Sequence, residues 1–74
     1  MTAAEFLAHW MTPDEDGMTR LDWQRESLGE HEAQYHAEVS MFGDAGPGQG
    51  LRLEEMKRDL AKIERALELA RRQS

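Results

Sequence analysis

The chain has 74 residues and a mass of 8.5 kDa, which is room for a single small domain. It contains no cysteine, so disulfides, thiolate metal sites and a cysteine nucleophile are excluded. The formal charge of −6 and a pI near 4.9 argue against direct binding to nucleic-acid phosphates. No apolar run approaches the ~20 residues of a membrane span, and no basic-then-apolar leader opens the sequence, so a cytoplasmic chain away from any membrane is expected.

Thr2 to Trp10 spaces Ala3, Phe6, Leu7 and Trp10 at helical intervals, and Thr2 with Glu5 has the form of a capping box. A helix over about 2–10 is too short to hold alone and must dock on something. The run Thr12-Pro13-Asp14-Glu15-Asp16-Gly17 then breaks it, because Pro13 disfavours helix at Thr12 and Gly17 admits a positive φ. Thr19 restarts a helix over about 19–41, with Asp22 completing the cap. Leu21, Leu28, Tyr35 and Phe42 fall seven residues apart along it and predict one apolar face, thinned by the polar Gln24 and His31.

Four glycines and a proline in residues 43–50 end that helix and reverse the chain. The last helix, about 51–72, has the firmest pattern. Leu53, Met56, Leu60, Ile63, Leu67 and Ala70 step by three and four, as an a/d seam does. Opposite charges stand at helical spacing in Glu54–Arg58, Asp59–Lys62, Glu68–Arg71 and Glu68–Arg72. Glu54 and Glu55 in the first turn and Arg71 and Arg72 in the last suit the helix dipole.

No segment alternates as a strand does. The expected architecture is therefore all-α: one domain over 1–74, a hairpin of two long antiparallel helices with a short N-terminal helix. Only 20 hydrophobic residues are larger than alanine, and a single core in so short a chain rarely supplies more than about 3–5 kcal/mol, so oligomerisation into a helical bundle is expected to complete it.

Candidate chemistry is sparse. Asp14-Glu15-Asp16-Gly17 resembles part of a calcium loop, but Thr12 and Trp23 occupy the positions where such a loop needs its first Asp and its bidentate Glu. It reads instead as a solvated acidic turn. His31 and His36 are five apart, which turns them about 140° from each other on a helix and keeps them off one metal ion. Glu32 and His36 share a face without a third ligand. His31 lies on the apolar line and reads as a satisfied core or interface histidine rather than a ligand. No nucleophile context or phosphate loop is present, so no enzyme, metal or cofactor is expected.

Residues 1–50 carry ten acids and two bases, whereas residues 51–74 carry five acids and seven bases. The function this predicts is a small acidic interaction module, an adaptor or inhibitor that binds itself and a larger protein. The interface residues expected are Trp10, Trp23, Leu53, Met56, Leu60, Ile63 and Leu67. Two alternatives are an acidic mimic of nucleic acid built on Glu30, Glu32 and Glu38, and a ligand- or metal-binding helical oligomer using Glu32 and His36.

Overall fold

Thr2 and Thr19 open their helices by the same device. Each threonine hydroxyl accepts a backbone N–H three residues on, from Glu5 at 3.1 Å and from Asp22 at 3.1 Å. The acid at that third position reaches back to the threonine's own N–H, at 3.3 Å for Glu5 and 3.0 Å for Asp22. Two backbone donors that the helix cannot use are thus satisfied at each start.

The computed structural model describes residues 1–73. It is all-helical, with α1 over Ala3–Met11, α2 over Arg20–Phe42 and α3 over Gln49–Gln73. The described residues contain no strand. Each boundary lies within two residues of its sequence-based position. The largest shift is at α3, which starts at Gln49 rather than Leu51 and so draws Gly50 into the helix. Gly43, in the left-handed conformation at φ 76°, ends α2 by donating its N–H to the Val39 carbonyl at 2.8 Å.

α1 packs against both long helices. Its last turn is tied to the first turn of α2, where Arg20 Nε donates to the His9 carbonyl at 3.0 Å. Leu21, in that same turn of α2, lines one groove with Leu67 of α3. Hence α1, the start of α2 and the last third of α3 meet at one end of the molecule. Thr19, Leu21, Leu67 and Ala70 are all buried, and Leu67 is only 1% exposed.

At the other end two helices stand without a third. α1 is about 13 Å long against about 37 Å for α3, so it covers roughly a third of the longer helix. Further along α3, Leu53 is buried but Met56, Leu60 and Ile63 are only half-buried. The line Leu21, Leu28, Tyr35, Phe42 on α2 falls away in step: Leu21 is 4% exposed, the next two are half-buried, and Phe42 is 73% exposed. A straight helix drifts ~20° per heptad, so a strict seven-residue line turns out of a fixed contact plane after three repeats.

The resulting rod measures 48 × 25 × 15 Å, with a radius of gyration of 15.4 Å against about 11 Å for a compact chain of this length. No helix among the described residues is long and apolar enough to cross a membrane.

Candidate functional site

Pro13 breaks α1 and Gly17, at φ 77°, turns the chain back, but one side chain organises the loop between them. Asp14 Oδ1 accepts the backbone N–H groups of Asp16 at 2.9 Å and Met18 at 3.0 Å. Its backbone N–H donates to the Met18 carbonyl at 2.9 Å, and its carbonyl accepts from Gly17 at 3.0 Å. The other carboxylate oxygen, Oδ2, accepts the indole N–H of Trp23 at 2.6 Å. A surface loop is thereby closed on itself and stapled to the first turn of α2.

These donors favour the charged form of Asp14. Its pKa lies below the ordinary value of 3.8, with the Trp23 hydrogen bond the largest cause and the Met18 N–H next. Trp23 itself remains 46% exposed. Its ring borders an open concavity with Ala8, His9, Pro13, Met18 and Arg20. The result is a large aromatic surface that faces solvent yet has little freedom to move.

The acidic turn is thus structured by its first acid. Both oxygens of Asp14 are committed to N–H donors, which leaves it poorly placed to hold a cation. The described residues contain no group of three or more His, Asp or Glu able to hold a metal ion. His31 and His36 diverge as their spacing requires: His31 Nδ1 lies 3.0 Å from the Ser27 carbonyl, while His36 is exposed with its ring edge-on to Tyr35.

The other interface candidates divide among several places. Trp10 is half-buried on α1, its ring edge-on to that of His9 at 5.4 Å. Leu53 and Leu67 are buried near opposite ends of α3, with half-buried Met56, Leu60 and Ile63 between them. They belong to one seam and lie apart from Trp23.

The acidic candidates are not one free face. Glu30 is exposed, but Glu32 pairs with Lys57 of α3 at 3.2 Å and Glu38 accepts from Gln34 at 3.1 Å. Of the charge pairs expected along α3, Glu68–Arg72 forms at 2.7 Å, whereas Glu54 turns to Lys57 at 3.8 Å rather than to Arg58.

Sequence reasoning missed Asp14 as the organiser of the loop. The pattern Asp-x-Asp-Gly before a Thr cap carries that signal, because an Asp side chain readily bonds backbone N–H groups two residues on. What no pattern shows is that Trp23 supplies the remaining donor.

Comparison with known proteins supplies no relative: no protein-family description, no curated protein and no solved structure matches this chain.

Proposed function

We propose that this chain is a non-catalytic protein-interaction module, an adaptor or inhibitor that presents Trp23 to a larger protein in the cytoplasm. The observation that carries the reading is the half-exposed Trp23 ring held by a 2.6 Å hydrogen bond to Asp14. Tryptophan is enriched among residues that dominate binding energy. An anchor already fixed in place loses less freedom on binding than a mobile one. Asp14 holds the ring, and Glu15 and Asp16 follow it in the same exposed loop, which favours a partner whose apolar pocket has a basic rim.

The frame behind the anchor is an antiparallel hairpin of α2 and α3, completed by self-association. Three cross-helix contacts support the direction. Arg25 faces Glu64 at 3.7 Å, Glu32 faces Lys57 at 3.2 Å, and the Tyr35 ring lies against Gly50. The partner number falls along α3 as the residue number rises along α2. The half-buried stretch Met56–Leu60–Ile63 supports self-association, since an a/d seam ordinarily meets facing helices along its whole length.

The test is affinity capture with the whole chain, followed by direct binding measurements on the purified captured protein. Trp23→Ala, checked for helicity by circular dichroism, is expected to weaken binding at least tenfold. Trp23→Phe, which keeps a ring but loses the N–H held by Asp14, is expected to fall between. If Glu30→Gln, Glu32→Gln and Glu38→Gln together abolish binding while Trp23→Ala does not, the acidic-mimic reading replaces this one.

A further inference from the structure

Beyond the reach of α1, the two long helices enclose a narrow cleft. Its walls are His31, Tyr35 and Glu38 from α2, and Gln49, Arg52 and Leu53 from α3. Along the same two helices, one turn nearer the middle, stand the half-buried Leu28 and Met56, with Leu60 beyond. The cleft holds little more than a water molecule, so its occupant is a surface laid across it rather than a small ligand inserted into it.

Two quantities identify that surface. The first is area. The chain exposes 5540 Å², whereas a folded monomer of 8.5 kDa exposes about 4,650 Å². The excess, roughly 900 Å², belongs to the elongated chain as a whole and is enough for the ~800 Å² that each partner buries in a standard protein interface.

The second is charge. Glu38 stands on one wall and Arg52 on the other. Among the described residues Arg52 has no ion-pair partner, and Glu38 accepts only the Gln34 amide. A patch with an acid on one side of its apolar centre and a base on the other is complementary to itself under a two-fold rotation, the symmetry of most homodimers.

We propose that this cleft is the interface of a two-fold homodimer, in which Glu38 of each copy meets Arg52 of the other across a centre of the half-buried Tyr35 and Met56. The proposal rests on the self-association read above. It does not depend on Trp23, which lies about 17 Å back along α2 from the middle of the cleft.

Solution mass by light scattering tests it, with the whole chain and its charge variants. The wild-type chain is expected to reach about twice 8.5 kDa within the micromolar range. Because each substitution acts twice in a two-fold dimer, Arg52→Glu and Glu38→Arg should each weaken dimerisation at least tenfold. Both should retain wild-type helicity. Mixing the two single variants should restore the dimer as a heterodimer, since each acid then meets a base in the other chain. The double variant Glu38→Arg/Arg52→Glu should restore it as a homodimer. A wild-type chain that stays monomeric at 100 µM overturns both this interface and the self-association reading. A dimer indifferent to the single variants, or singles that do not recover on mixing, overturns this interface alone.

Discussion

The two ends of the rod are built from the same helices and differ in how many of them are present. Where α1, the start of α2 and the last third of α3 converge, four side chains are buried and a capping box closes the start of α2. At the α2–α3 turn only Leu53 and Ala45 are buried, while Met41, Phe42 and Leu51 face solvent. Two helices packed side by side offer each seam one neighbour, and one neighbour covers only part of a face a hundred or more degrees wide. A nine-residue helix is enough to complete one end; its absence leaves the other open.

The comparison is broken most directly at Leu67, the most buried side chain of the three-helix end. Leu67→Ala is expected to cost about 3 kcal/mol or more, as large-to-small changes in packed sites do, and to unfold much of the population in a urea titration. Leu60→Ala, in the half-covered middle, should cost about half as much. Equal losses would show that the two regions are packed alike.

Next in size is the cap that fixes the three-helix end. Thr19→Ala removes the hydroxyl that accepts the Asp22 N–H and should lower stability by about 1 kcal/mol in the same titration. Gly29, midway along α2, has open space around the position a Cβ would take. Gly29→Ala should therefore stabilise the chain by about 0.5–1 kcal/mol through helix propensity, a gain that thermal melts resolve.

The smallest effect is local to the Asp14 loop. The pKa of Asp14 is depressed in the folded state, so its contribution is present above the ordinary value of 3.8. It is lost as pH falls below that value toward the folded pKa. With Trp10 replaced by Phe so that Trp23 is the reporter, its fluorescence should accordingly be flat from pH 7 to 5 and change only below about pH 4. In Asp14→Asn that acid step should vanish, because the side chain no longer titrates.

Much of the architecture is legible from residue order because helix starts, stops and seams are local. Thr2 with Glu5, Thr19 with Asp22, and the glycines from 43 to 50 each act over a few neighbours. Leu53 to Ala70 repeats often enough to outweigh any single residue. What is not legible is contact between elements. The heptad line on α2 places Phe42 with Leu21, yet it does not show that α3 begins too late, at Gln49, to cover Phe42. The same holds for the site. Trp23 is conspicuous as a large residue off the apolar line, but its bond to Asp14 spans a loop whose shape is set by backbone donors that composition does not reveal.

The bonds that close the Asp14 loop have a consequence for the order of folding. All of them, together with the Arg20–His9 tie, join residues no more than 11 apart. The contacts between α2 and α3 reach much further, with Arg25 and Glu64 separated by 39 positions. Closing short loops costs less entropy and takes less time than closing long ones. The α1–α2 corner is therefore expected to close early as a local unit, the α2–α3 turn to zip from its short-range contacts such as Tyr35 against Gly50, and the docking of the end of α3 on that corner, which closes the longest loops, to come last.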